Sequence, residues 1–237
     1  MSLLIALLII LSAFTLILFE LRSTPEKGRP FLGFFIRLIH ILCLIIHRAK
    51  WIGIENLPHK IGPEGLLLIS NHSCSLDPAL LQCPSKVYFR WLMADEMFWK
   101  PLMFFWKWVG VISVDRKGVE TKALREAIRW IRQGNAIGIF PEGGIYHDPK
   151  GIHPFKPGIG LMIKKTKAPV IIANIRGTPK TNQVLQGIFK PSRAEIRYAR
   201  LWHPDRSLSA QELTLQARTK MAELAEWPFD DTLQKDR

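Results

Sequence analysis

The chain reads as an α/β protein: a single domain with a mixed, largely parallel sheet flanked by helices, preceded by a membrane-associated helical hairpin. Three observations carry that expectation. Short apolar runs of strand length at 66–69, 136–140 and 170–175 alternate with segments of helical period. Turn residues such as Gly65 and Gly134 punctuate them. Ahead of all of these lie two long apolar stretches, 3–19 and 31–46. The organisation expected is an anchor over 1–48, one folded domain over 49–228 and a flexible tail over 229–237.

Taken in order, residues 3–19 are apolar apart from Ser12 and Thr15. At about 1.5 Å per residue they extend about 26 Å, slightly short of a hydrocarbon core of about 30 Å. No lysine or arginine precedes them, which argues against a cleaved leader; Arg22, Lys27 and Arg29 follow, which favours a cytoplasmic domain. The second stretch carries Arg37 and His40. A central arginine costs about 2.5–3.5 kcal/mol on insertion scales, so this helix is expected to lie in the membrane interface with its polar groups turned outward.

Residues 51–54 read as a strand before the Asn56-Leu57-Pro58 turn, and 66–70 as an interior strand. Pro78 disfavours the α region at the residue before it, so Asp77 is expected as N-cap and Pro78 as the first residue of a helix through Leu81. Residues 97–108 look helical and 111–114 extended. Over 119–133, Ala123, Ala127, Ile128 and Ile131 make an inward face, and Gly134 stops the helix. A strand at 136–140, a helix at 158–165, strands at 170–175 and 195–200, and a helix at 210–225 complete the pattern.

The chemistry concentrates at Asn71-His72-Ser73-Cys74-Ser75-Leu76-Asp77-Pro78, just beyond the 66–70 strand. A histidine at a strand's carboxyl end and a carboxylate across a tight loop can form a general base. The carboxylate accepts from one ring nitrogen and leaves the other free to take a proton. The competing reading is a loop histidine beside a helix cap. Three further blocks follow: Val111-Ile112-Ser113-Val114-Asp115-Arg116, Gly138-Ile139-Phe140-Pro141-Glu142-Gly143-Gly144 with Phe155-Lys156-Pro157-Gly158 after it, and Ala168-Pro169-Val170-Ile171-Ile172-Ala173.

In this order and at these separations the blocks resemble those of the phospholipid/glycerol acyltransferase family, over about residues 51–176. The resemblance implies acyl transfer from acyl-CoA or acyl-acyl-carrier-protein to lysophosphatidic acid, with no cofactor. His72 would be the base and Asp77 its orienter. By family position Arg116 and Lys156 are phosphate ligands, and Glu142 with Gly143 belongs to acceptor binding. The alternatives are a surface ion pair for Arg116, a solvated lysine for Lys156 and a turn carboxylate for Glu142. Pro157 gives Lys156 a second argument, since it opens a helix whose free amides favour an anion. One departure bears on the acceptor: the family's Thr/Ser-Arg-Ser after Glu-Gly is here Gly144-Ile145-Tyr146. Another lysolipid or hydroxylated lipid as acceptor, or a non-catalytic lipid-binding protein, are the other readings.

Charge and cysteine usage agree with work at a membrane. The net charge is +13, and between Lys150 and Arg206 twelve Lys and Arg face only Glu195 and Asp205. No nucleic-acid-binding motif accompanies that excess, so anionic membrane lipids are the expected partner and nucleic acid is not. Cys43, Cys74 and Cys83 form neither a metal spacing nor an even disulfide framework, which suits a reducing compartment. His147 and His153 miss the helical zinc arrangement, so no metal site is expected.

Overall fold

The structure is a computed structural model that describes residues 32–98, 101, 103–115, 121–147 and 149–232. The expected first membrane segment, 3–19, and Arg116 lie outside the described residues. The strands are β1 (Lys50–Ile52), β2 (Leu66–Ser70), β3 (Phe89–Ala94), β4 (Ile112–Val114), β5 (Ala136–Ile139), β6 (Val170–Arg176) and β7 (Glu195–Tyr198). They form one sheet in the order β1-β7-β6-β2-β5-β3-β4. Every neighbouring pair is parallel except β6 and β7, so the sheet is mixed and largely parallel.

β2 occupies the middle because its sequence tolerates burial on both faces. All five of its residues are buried. Side chains alternate across a sheet, so Leu66 and Leu68 enter one core with Ile171, Ala173 and Phe89, while Leu67 and Ile69 enter the other with Ile137, Val170 and Ile172. Burying each Leu or Ile contributes about 1.5–3 kcal/mol. The helices α1 (Leu32–Ile45) and α2 (Asp77–Gln82) cover the first face through Cys43, Leu80 and Leu81. The second face is covered by α4 (Thr121–Arg132), α5 (Gly158–Lys165) and α7 (Ala210–Ala225), through Ala127, Ile131, Met162, Ile163, Ala217 and Met221. α3 (Met103–Val109) follows β3, and α6 (Val184–Phe189) follows β6. A capping box starts α7: Ser209 Oγ accepts from Glu212 N at 3.2 Å, and Glu212 accepts from Ser209 N at 2.7 Å.

Several expectations are corrected. Asp77 is the first residue of α2 and Leu76 its N-cap, because the Leu76 carbonyl already accepts from the Ala79 and Leu80 amides. The 51–54 strand is β1 ending at Ile52, with a 3-10 turn at Ile54–Asn56. In place of one helix over 97–108 there is a 3-10 turn at Asp95–Met97 and then α3. β3 and α6 are elements beyond those the sequence pattern predicts. At the start of the expected tail, Phe229 bridges Ile152 and Arg218 donates to Asp231 at 2.6 Å, and 233–237 lie outside the described residues.

The second apolar stretch forms α1, a 14-residue helix. Leu32, Gly33 and Cys43 are buried, while Phe34, Leu38, Ile41, Leu44 and Ile45 are exposed together with Arg37, so one face packs on the domain and the other is open and apolar apart from that arginine. Phe35 reaches Phe105 and Trp108 of α3 at centroid distances of 5.3 and 6.0 Å. Among the described residues no helix is long and apolar enough to cross a membrane.

Candidate active site

The loop that leaves β2 is shaped by Asn71, a residue whose side chain substitutes for backbone. Its Nδ2 donates to Ile175 O at 2.8 Å, and its Oδ1 accepts from Ile175 N at 2.8 Å. This two-way clamp on β6 releases β2 from sheet pairing and turns His72 out at the strand end. In the sequence Asn71 is one residue of the motif, and its role as a clamp follows only from the fold.

His72 is then fixed from several directions. Nδ1 contacts Asp77 Oδ2 at 2.9 Å, and the same oxygen accepts from the amides of Ser73 at 2.6 Å and Cys74 at 2.8 Å. Asp77 is fully buried, whereas the His72 side chain keeps 16% exposure. A carboxylate oxygen accepts only, so Nδ1 carries the hydrogen, and in the neutral ring the lone pair is then on Nε2. The ring stacks on Phe140 at 3.9 Å between centroids, and Phe140 stacks on Trp91 at 5.0 Å. His72 N donates to Glu142 Oε2 at 3.1 Å, and His72 O accepts from Tyr146 N at 2.8 Å. Nothing in the residue pattern announced the aromatic ladder, because it depends on β3, and β3 reached the site only through the fold.

Glu142 sits in a turn closed by Gly143 N donating to Phe140 O at 3.2 Å, with Pro141 at the position that favours its fixed φ. The carboxyl is buried, and its oxygens accept from His72 N and from His153 N at 3.3 Å. The amides that hold it are thus those of two other loops, not of the glycines that follow it. Burial pushes this carboxyl up to about 8, against the pull of the two backbone donors. Gly143 has φ +72°, a conformation glycine adopts without penalty, and a Cβ there would press on the Lys156 stem at 2.9 Å from Cε. Lys156 therefore lies over the turn, anchored by its amide to Pro141 O at 2.8 Å.

His72, Asp77, Glu142, Gly143 and Lys156 thus gather at the carboxyl ends of β2 and β5. His147 also joins them, its Nδ1 donating to Ser73 O at 2.9 Å. Cys74 is buried, and burial together with the Asp77 charge pushes its thiol up to about 11, so it stays protonated at neutral pH and is no nucleophile. What the arrangement can do is accept a proton at Nε2 on a partly open ring whose orientation is held by a buried carboxylate.

A family model described as Acyltransferase matches residues 48–176, more than half of the chain. The chain belongs to the acyltransferase family. It is similar to a Borreliella burgdorferi protein named 1-acyl-sn-glycerol-3-phosphate acyltransferase, 31% identical over 97 residues, or 38% of this chain and 36% of that protein. The Brassica napus 1-acyl-sn-glycerol-3-phosphate acyltransferase BAT2, chloroplastic, is 27% identical over 175 residues, or 72% of this chain and 49% of that protein. The matches span less than half the length of either curated relative. Among solved structures, the crystal structure of the 1-acyl-sn-glycerophosphate (LPA) acyltransferase, PlsC, from Thermotoga maritima superposes with a TM-score of 0.65 at 20% identity, covering 90% of this chain and 88% of that one. At that identity the likeness is one of fold.

Proposed function

We propose that this chain transfers an acyl group from acyl-CoA or acyl-acyl-carrier-protein to lysophosphatidic acid, forming phosphatidic acid in phospholipid biosynthesis. The observation that carries the reading is the His72–Asp77 contact of 2.9 Å beneath a ring that remains partly open. His72 Nε2 takes the proton of the acceptor hydroxyl as its oxygen bonds to the thioester carbonyl carbon. Asp77 stabilises the imidazolium that forms. The tetrahedral intermediate then expels the thiolate, which recovers the proton from His72. A thiol of pKa about 8.5 leaves with little help, so one base serves both halves of the exchange and no covalent enzyme intermediate or cofactor is needed.

Acceptor binding is assigned to Lys156 over the Gly143 turn and to Arg116, with Glu142 bracing that turn against the His72 loop. Attachment to a membrane is supported by the open apolar face of α1 and by Phe104 of α3, which is 83% exposed, and its cytoplasmic side by Arg22, Lys27 and Arg29 after the segment 3–19. The hydrophobic segment 3–19 and the basic surface add to it, anionic lipid being the partner. The names of the two curated relatives favour lysophosphatidic acid over other lysolipids.

The test is purified protein incubated with a panel of lysolipids and hydroxylated lipids and with both donors, the products read by mass spectrometry. Phosphatidic acid as the main product supports the reading. Preference for an acceptor without phosphate removes the lysophosphatidic acid assignment and leaves the acyltransferase; no consumption of either thioester removes the activity.

A further inference from the structure

A cavity of about 340 Å³ opens beside the catalytic loop, and its wall includes Ser73 but not His72. Arg176, Thr178, Arg193, Glu195 and Trp227 complete its chemistry. β6 ends at Arg176, β7 begins at Glu195, and Trp227 follows α7, so these stretches of chain meet the Ser73 loop and Pro149 there. Glu195 is engaged by Arg176 and, at 2.9 Å, by Arg197. That leaves the guanidinium of Arg193 exposed, with no ion-pair or hydrogen-bond partner among the described residues, while its backbone amide is pinned to Gly177 O at 3.2 Å. Ser73 and Thr178 bring two hydroxyls, 2.8 Å apart, to the same wall.

This combination suits a phosphorylated aromatic ligand. A guanidinium presents a planar fork of donors that matches phosphate, and an indole face accepts a stacked purine. Position separates it from the acceptor groups. β6 lies on one side of β2 and β5 on the other. Lys156, Glu142 and Gly143 belong to the β5 side, whereas the charged and hydroxyl groups of the cavity come from the β6 side and the Ser73 loop, with Pro149 of the loop after β5 on its rim. In a lysophospholipid the phosphate stands one short glycerol unit from the attacking oxygen, so it must bind against the His72 ring, which this cavity does not touch. In coenzyme A the phosphates are separated from the thioester by the whole pantetheine arm, and a site one step removed from the base fits them.

We propose that the cavity receives the phosphorylated adenosine end of an acyl-coenzyme A donor, Arg193 meeting a phosphate and Trp227 the adenine. The proposal rests on the acyl-transfer reading above. It is tested on the full chain in detergent by titration calorimetry with adenosine 3′,5′-bisphosphate and by kinetics that vary acyl-CoA and lysophosphatidic acid separately, for wild type, Arg193→Lys and Arg193→Glu. Arg193 is exposed, and circular dichroism verifies that both variants fold. Loss of a charge-assisted phosphate contact should weaken the nucleotide and raise the acyl-CoA KM by about tenfold or more in Arg193→Glu, with a smaller change in Arg193→Lys. The acceptor KM should stay within about twofold of wild type. Unchanged nucleotide affinity and acyl-CoA KM, or a rise confined to the acceptor KM, overturns the assignment. Turnover with acyl-acyl-carrier-protein by a wild type that binds no nucleotide also overturns it and leaves acyl transfer standing. Nucleotide binding that is lost in Arg193→Glu, in a protein that consumes no thioester, upholds the cavity and removes the activity.

Discussion

The imidazole of His72 is constrained through its ring nitrogen, its ring face and both of its backbone groups, which leaves Nε2 as the site where chemistry can occur. His72→Ala should lower turnover by about 10²- to 10⁴-fold, the usual contribution of a general base, without unfolding the protein. Steady-state kcat beside a thermal melt checks both halves; near-normal turnover by folded variant rejects the base. Asp77→Asn should lose activity and stability together, because Oδ2 serves the amides of Ser73 and Cys74 as well as the ring. Weakening those contacts should cost about 1–3 kcal/mol, measurable by denaturant titration. Glu142 gives a pH signature. Its carboxyl titrates near 4.5 when unfolded and near 8 when buried, so the neutral form is favoured by folding. The stability this contributes is present below about pH 4.5 and is lost as pH rises through about 8. Glu142→Gln removes that loss. Melting temperatures followed from about pH 5 to 9 should move in the variant's favour as pH rises, and a constant difference between the two proteins contradicts the shift.

Among elements, the pairing of β3 with β5 decides how the aromatic ladder reaches the histidine. Trp91 pairs with Gly138 in register, and a Cβ on Gly138 would stand 2.6 Å from the Trp91 ring. The missing side chain is what lets Trp91 lie across β5 and stack on Phe140, which in turn stacks on His72. Gly138→Ala should displace this ladder and lower kcat by about 10- to 100-fold, the scale of a small misplacement of a reacting group. Substrate KM values should change less. A variant with wild-type kcat would show that the Asp77 contact alone orients the ring. The clamp of Asn71 on β6 works at the same scale, since it converts the end of a central strand into the start of the catalytic loop.

Over the whole molecule, apolar and basic surfaces both point to attachment, and salt tells them apart. The exposed face of α1 and the segment 3–19 are hydrophobic, whereas the net charge of +13 acts through a screened field. Full-length protein should therefore stay with membranes through a high-salt wash and come off with detergent. Appearance in the soluble fraction after salt alone would reject the embedded anchor and leave only electrostatic attraction to anionic lipid.

The strands β2, β5 and β6, the helices α5 and α7, and the pairing of His72 with Asp77 follow from local pattern, because continuous apolar runs, turn residues and a loop of four intervening residues specify their partners over short distances. Other features needed the fold. β3 carries Arg90 among its apolar residues, and that arginine is accommodated by Trp130 beneath its guanidinium and the Glu126 carboxylate, both from α4, and by the Gly110 carbonyl, which accepts from Nε. Whether Glu142 faces substrate or the protein interior depends on loops 70 and 11 residues away in sequence, whose amides it receives. The cavity of Arg193 and Trp227 is assembled from the ends of β6 and β7 and from residues outside the sheet that only tertiary packing brings together. Sequence alone settles what a residue can do with its near neighbours; long-range contacts, set by how the strands pack, decide which of those capacities is turned toward the same point in space.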